Sequence, residues 1–456
     1  MRIGQRLEQA FTSPQFSYRE LRSMYFTLVL DQFFIAFINV LSTSMVSSTG
    51  EAAIAAVSMV GTINAMASLL FTSLATGGSI VIARSKGSGL ADDVRRSIGE
   101  TTGLCGFMAL ILSGLLILLG PTLVGWLYPS VEPLLVTYSI QYLRLMAISC
   151  IPYSVFCSIF NCFRALGDTK SSLILTVVIN GAHLMFSMLF INGLHLGVTG
   201  SGLSYITARV IGMVLALYWL MVRHNELGVR PKHFFRFTRR LTKDIFSLGM
   251  PIAMESLLMQ GGMLLVQVYL ARLTTTELAA HSVANSVMNL YYTTGNALTA
   301  LAGTVCGQCI GAKQYELTRR YCLRFVRAGR VITLASSALL FACTPLLMQL
   351  YGATEQARPI LWRVLGLAAV AVPLIWCDSY VPPMALRAAG DAMYCSVVSS
   401  VALALGRCAV GYVLTIPLGL GVPGVWLGMV LEWLGRAVVL RLRLRGQRWL
   451  ASRLRA

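Results

Sequence analysis

The chain is predicted to be an all-α polytopic membrane protein: twelve transmembrane helices in two six-helix lobes related by a pseudo-twofold along the membrane normal. Three observations predict it. Of 456 residues, 56% are hydrophobic and only 12% charged, with a mean hydropathy of +0.71, against roughly 25% charged in soluble domains. Apolar runs of membrane length recur along nearly the whole chain, and a helix of about 20 apolar residues crosses a hydrocarbon core with its backbone hydrogen bonds made internally. The pattern then repeats after a shift of 224 residues.

Apolar runs and their breakers place the first six spans at about 23–46, 53–83, 98–120, 135–160, 171–192 and 198–221. The second six fall at about 246–270, 279–308, 329–350, 361–386, 394–416 and 422–440. The first 22 residues are polar and the following run is long enough to span, so no cleavable signal is expected. The polar, basic stretch 223–245 is the one long linker, giving an amino-terminal lobe (1–222), a carboxyl-terminal lobe (246–440) and a basic tail (441–456).

A net charge of +19 would point to nucleic acid in a soluble protein, but here 30 of the 37 Lys and Arg lie in the tails and alternate loops, with only Arg272, Arg358 and Arg363 in the opposite ones. That asymmetry is the positive-inside pattern; it predicts both termini in the cytoplasm and no nucleic-acid partner. Eleven cysteines are scattered through apolar runs. The pair Cys306 and Cys309 in CGQC lacks converging partners, so small hydrophobic packing is expected rather than a metal or redox site.

The repeat is legible in short matches. IAAVS (54–58) answers LAAHS (278–282), Gly87 answers Gly311, Pro121 answers Pro345, and GVTG (197–200) answers GVPG (421–424). With a slip of one residue, RALGD (164–168) answers RAAGD (387–391). An even number of spans per half gives both halves the same orientation, and rocking of one lobe against the other is the usual mechanical consequence.

Three sets of residues carry a resemblance: GEAAIAAVS (50–58) with TTELAAHSVAN (275–285), VCGQCIGAKQYELTRR (305–320), and the RALGDTK and RAAGDAMY pair. On these the chain resembles the multidrug and toxic compound extrusion (MATE) family, within the wider multidrug/oligosaccharidyl-lipid/polysaccharide exporter superfamily, over essentially its whole length. The resemblance implies two helical bundles and export of organic, often cationic, compounds driven by inward flow of protons or sodium ions.

A carboxylate inside a span is costly and faces a cavity or a partner, so it is a functional candidate by default. Glu255 lies about nine residues, roughly 13 Å at 1.5 Å per residue, from the cytoplasmic end of the seventh span. Asp378 lies at similar depth in the tenth, and Asp31 at the matching place in the first. Glu255, Asp378 and Asp31 are the coupling candidates; neighbouring carboxylates could share a proton or ion. The alternative is static pairing with an internal arginine such as Arg407. Against the family pattern, Ser42 stands near the place of the familiar first-span Asp. Asn180 is present in the fifth span, but Leu184 replaces the Asp one turn on, and Tyr205 falls at the usual small hydroxyl of the sixth. A sodium site of that kind is therefore not expected in the amino lobe.

Asn285, Asn289 and Asn296 share one face of the eighth span at 100° per residue, with Tyr291 and Tyr292 beside them, and Gln260 and Gln267 repeat the spacing in the seventh. These residues, with Asn180 and Tyr205, form the candidate substrate cleft; interhelical hydrogen bonding is the structural alternative. Arg144, Arg209, Arg407 and Arg436 also fall within spans, and Glu432 with Arg436, four apart, is expected to be a structural ion pair. The 20 methionines, and His183 and His281, are expected to pack.

These readings converge on an ion-coupled antiporter of small organic molecules in the cell membrane, monomeric among its lipids, with no cofactor beyond the coupling proton or sodium. No phosphate-cradling Gly-Lys-Ser/Thr loop is present to use ATP. A flippase of a lipid-linked oligosaccharide or precursor is the alternative within the superfamily. A lipid-modifying enzyme would need an acid, base or metal cluster at a membrane face, which the short outer loops lack, and a passive channel would leave the buried carboxylates unused.

Overall fold

The computed structural model describes Glu8 and residues 11–46, 51–127, 133–446 and 448–450; side chains between residues 36 and 59 lie outside this description, and with them Ser42 and the 50–58 motif. Twelve long helices run through the described residues and no strand occurs among them. They are α1 (Tyr18–Val46), α2 (Glu51–Gly87), α3 (Ala91–Leu127), α4 (Pro133–Leu166), α5 (Thr169–Gly193), α6 (Gly197–Arg223), α7 (Arg239–Leu270), α8 (Thr275–Gly311), α9 (Tyr315–Ala342), α10 (Arg358–Ala389), α11 (Ala392–Thr415) and α12 (Val422–Arg445). Among the described residues nine are long and apolar enough to cross a membrane. Two others fall short through their own polarity: α8 carries a run of Asn, Thr and Ser, and α12 carries Glu432 and four arginines. Large apolar side chains such as Leu118, Trp126 and Leu339 lie outward, as a surface bathed in hydrocarbon requires.

The repeated RALGD and RAAGD motifs make helix boundaries. Gly167 (φ 87°) and Gly390 (φ 107°) take the left-handed conformation that ends α4 and α10, a position an L side chain occupies at a cost. Asp168 then accepts a hydrogen bond from the Ser171 backbone N–H at 3.1 Å and opens α5, a standard helix start. Asp391, in the second copy, accepts instead from Arg443 Nε at 2.8 Å. Thr274 and Glu277 open α8 with a reciprocal capping box.

The chain divides into two compact units, one of residues 34–253, the other of residues 1–33 with 254–456. The divisions therefore fall inside α1 and α7, not at the ends of the basic linker. In the first unit, α2 to α6 close on Ile98, Phe163, Leu175 and Leu220, and on Leu143 and Met146. The linker belongs to it: its short turn at Pro231–Phe235 lies on α3, with Gly99 and Gly103 beneath His233 and Phe234. In the second unit the core runs from Leu21 and Leu28 of α1 to Tyr291, Phe325, Trp376 and Trp433. Two of its helices widen locally to five-residue turns, α10 at Val372–Trp376 and α11 at Leu403–Val410, a distortion that recurs at functional sites.

Candidate functional site

Both wide turns border buried charge in the unit formed by residues 1–33 and 254–456. Glu255 on α7 is 8% exposed. Its Oε2 accepts from Arg387 Nη2 at 2.5 Å and from Ser396 Oγ at 2.9 Å. α10 and α11 thus each send one donor to a carboxylate on α7, which satisfies the rule that a buried charge is paired and hydrogen-bonded.

Asp378, two residues beyond the wide turn of α10, is clamped from two sides. Arg330 of α9 lies 2.7 Å from its Oδ2, and Arg441 of α12 lies 3.0 Å from its Oδ1. Both arginine side chains are 40% exposed, so this cluster is open on its guanidinium side while Glu255 is enclosed. A third carboxylate, Glu432 on α12, receives Arg407 Nε at 2.7 Å and, more loosely, Arg436 at 3.9 Å. The ion pair expected between Glu432 and Arg436 is present, yet its closer partner is Arg407 from the widened turn of α11.

Aromatic rings floor this polar interior. Trp376 stacks on Tyr380 at 4.5 Å and on Tyr292 at 5.8 Å, Tyr292 meets Trp433 edge-on, and the Arg436 guanidinium lies 4.4 Å from the Tyr380 ring centre. Asp31 is wholly buried in the same unit. The first half of α1 packs there through Tyr25, which bonds to the Thr294 carbonyl, and just before the helix Phe16 meets Tyr321 edge-on. All three candidate carboxylates therefore belong to one unit, although Asp31 reads in sequence as the amino-terminal counterpart of Glu255.

The candidate cleft residues divide by environment. Asn285, Asn289 and Asn296 form an exposed stripe on α8, with Gln267 exposed and Gln260 half-buried on α7. Tyr291 is fully buried in the core, so it adds no surface to the asparagine stripe, and Tyr292, half-buried, belongs to the aromatic floor. In the other unit, Asn180 turns back to the Thr176 carbonyl at 2.8 Å and Tyr205 meets His183 at 4.1 Å between ring centres. The buried charge beside Tyr205 is a cation. Arg209 on α6, buried, donates to Ser149 Oγ at 2.6 Å and to Asn64 at 3.5 Å and lies over Tyr153 and Tyr205. Among the described residues no carboxylate meets Arg209, and no group of three or more His, Cys, Asp or Glu could hold a metal ion.

What sequence reading missed are the arginines. Arg387, Arg330 and Arg441 count by position among loop and tail charges, yet each holds a buried carboxylate. Arg387 had one signal, its place in the repeated RAAGD motif. Its partner choice is not legible there, since the first-copy Arg164 instead lies 4.2 Å above the Phe160 ring.

Comparison with known proteins closes the identification. The MatE family model matches residues 28–189 and again 251–413, two copies in the register of the internal repeat. The chain is 22% identical over 417 residues to the uncharacterized transporter YisQ of Bacillus subtilis (strain 168), covering 90% of each. It is 21% identical over 384 residues to the probable multidrug resistance protein NorM of Thermotoga maritima, covering 82% of this chain and 80% of that one. Among solved structures, a MOP superfamily transporter from Pyrococcus furiosus superposes with a TM-score of 0.85 at 18% identity, and a MATE transporter in complex with MaD3S with 0.86 at 19%, each covering 98% of both chains. The chain is a multi-pass membrane protein and belongs to the MATE family of multidrug efflux transporters.

Proposed function

We propose that the chain is a secondary antiporter that expels small organic compounds in exchange for protons, with Glu255 as the principal coupling group and Asp378 and Asp31 as further protonatable carboxylates. The observation that carries this is the environment of Glu255: a carboxylate at membrane depth, enclosed, and held by donors from two other helices. A proton arriving at Glu255 cancels the charge that holds Arg387. The buried guanidinium then loses the negative charge of Glu255, which favours a repacking of α10 and α11 around α7. Release of the proton restores the pair. The carboxylate thereby has two discrete arrangements that a proton gradient can drive in turn, as alternating access demands.

Sodium fits Glu255 less well. It seeks a shell of oxygens, whereas one carboxylate oxygen here already has a guanidinium nitrogen at 2.5 Å, which would repel a second fixed cation. The exposed stripe of Asn285, Asn289 and Asn296 offers neutral donors and acceptors to organic cargo, and relatives named as multidrug resistance proteins support a cargo of that kind. The positive-charge bias supports a cytoplasmic location for both termini and the linker, and neither catalysis nor a cofactor beyond the coupling proton enters this reading.

The test is reconstitution in proteoliposomes with a proton or a sodium gradient imposed separately, following export of a fluorescent organic cation. Export is expected to follow the proton gradient, to collapse in Glu255→Gln and to weaken in Asp378→Asn. Export indifferent to both gradients would overturn the antiporter reading, and full gradient-driven export in both variants would remove these residues from it.

A further inference from the structure

One cavity lies at the basic linker, within the unit of residues 34–253. It holds about 550 Å³ and is lined by Arg95 and Arg96 of α3 and by Arg230, Lys232 and Arg236 of the linker. One carboxylate, Glu100, is also in its wall, but that group is engaged: its Oε1 accepts from the Thr238 backbone N–H at 2.9 Å and from the Thr242 hydroxyl at 2.5 Å, where α7 begins. Arg95 pairs with Asp92. The other four cations have no carboxylate partner among the described residues.

The cavity is preformed. A Cβ on Gly103 would fall 1.8 Å from the Phe234 carbonyl oxygen, and one on Gly99 would fall 2.5 Å from His233 Cβ, so the linker lies against α3 as closely as backbone allows. His233 itself is buried with its Nδ1 accepting the Arg230 N–H at 2.9 Å, which holds the loop bearing Arg230 and Lys232. Just beside the cations, Phe235 is 82% and Phe237 49% exposed. Exposed aromatic rings next to basic side chains are the composition of a membrane interface.

The internal repeat supplies an independent observation. Arg95 corresponds, 224 residues on, to Arg319, and Arg319 lines a second, smaller cavity of about 180 Å³ together with Arg327, Arg330, Arg441 and Arg445. Both halves thus carry an arginine-lined cavity on the third helix of the half, closed in the first half by the linker and in the second by the last turns of α12.

We propose that the linker cavity binds a phosphate-bearing anion, the headgroup of an anionic phospholipid, with its acyl chains passing beside Phe235 and Phe237. Arginine forks and a lysine match phosphate oxygens, and basic pockets at a membrane face of a helical bundle suit such headgroups. The site is independent of the coupling reading, because none of its residues touches Glu255, Asp378 or Asp31.

The test titrates purified full-length protein in neutral detergent with short-chain phosphatidylglycerol, with phosphatidylcholine and inorganic phosphate as separate arms. Apparent Tm and lipid retained in native mass spectrometry are the readouts. Phosphatidylglycerol is expected to raise Tm and to be retained, and phosphatidylcholine to do neither. Arg96→Gln/Lys232→Gln/Arg236→Gln should weaken half-saturation by about 100-fold, at roughly a factor of five per cation. The control Arg239→Gln/Arg240→Gln/Lys243→Gln makes the same charge change outside the cavity and should alter it far less. If the lining triple variant fails to fold, Lys232→Gln alone, at an exposed position, should still cost about five-fold. Stabilisation by inorganic phosphate that displaces the lipid would assign the cavity to a soluble phosphate, with the same recognition chemistry. Equal response to the two lipids, or equal weakening by the two triple variants, would overturn the proposal.

Discussion

Replacing Arg387 by Met keeps an unbranched apolar stem and removes the guanidinium that faces Glu255, its charge and its hydrogen bond together. At 2.5 Å and an effective dielectric constant of about 20, the attraction is roughly 7 kcal/mol before desolvation, and the desolvation of both ions offsets several kcal/mol of it. The net value of the pair is therefore modest, but breaking it is not. Arg387→Met leaves a carboxylate that is 8% exposed with Ser396 as its remaining hydrogen-bond partner of the two, and cases of this kind cost about 3–5 kcal/mol. For a unit of this size that lowers the apparent Tm by about 6–20 °C. Adding Glu255→Gln to Arg387→Met removes the stranded charge and should recover most of the loss, because a neutral pair in a buried site is often as stable as an ionic one. The assay is thermal unfolding in detergent of the two single variants and the double, read as a cycle. An Arg387→Met protein as stable as the parent, or a double variant no more stable than Arg387→Met alone, would refute the claim that Glu255 is ionised and held by Arg387.

Two further outcomes follow from the geometry. On α12, a Cβ at Gly428 would fall 2.6 Å from Gly411 Cα and 2.9 Å from the Gly406 carbonyl oxygen, whereas one at Gly435 would meet nothing within 4 Å. Gly428→Ala should therefore cost about 1–3 kcal/mol by forcing α11 and α12 apart, while Gly435→Ala should be neutral or gain up to about 1 kcal/mol; equal Tm values would contradict the close helix contact. His233 in the linker has its pKa lowered, first by burial and then by Arg95 and Lys232. The folded state therefore keeps His233 neutral while the unfolded chain takes up a proton, so its contribution is intact above the unfolded value of about 6.5 and falls away as pH drops below it. The Tm difference between pH 8 and pH 5.5 should shrink in His233→Gln, and an unchanged difference would show that His233 does not set it.

Much of the architecture was legible because it depends on local pattern. Hydropathy and breakers place the spans, and the eleventh, read at about 394–416, is observed as Ala392–Thr415. The RALGD and RAAGD repeats mark where helices end, since a left-handed glycine is a local requirement. Glu255, Asp378 and Asp31 were legible as buried carboxylates for the same reason: a charge within an apolar run must be enclosed or paired wherever the run folds, and all three are buried. Tyr291 was not legible as a core residue, nor Tyr292 as one half-buried against it. Helical spacing places them near the asparagine stripe, but which side of α8 meets its neighbours depends on packing with α9 and α10, through contacts such as Gly295 against Trp376.

Sequence alone determined that this chain crosses a membrane repeatedly, that it does so in two related halves, and that it hides charge inside. Those properties are sums over local composition and periodicity, and each holds for any packing of the helices. Tertiary structure decided which charge meets which. Arg387 for Glu255, Arg330 and Arg441 for Asp378, Arg407 for Glu432, and the placement of Asp31 with them rather than with α2 to α6, all depend on distances between helices remote in the chain. Electrostatic attraction is set by those distances and by the local dielectric, and neither is written in the order of residues along one helix.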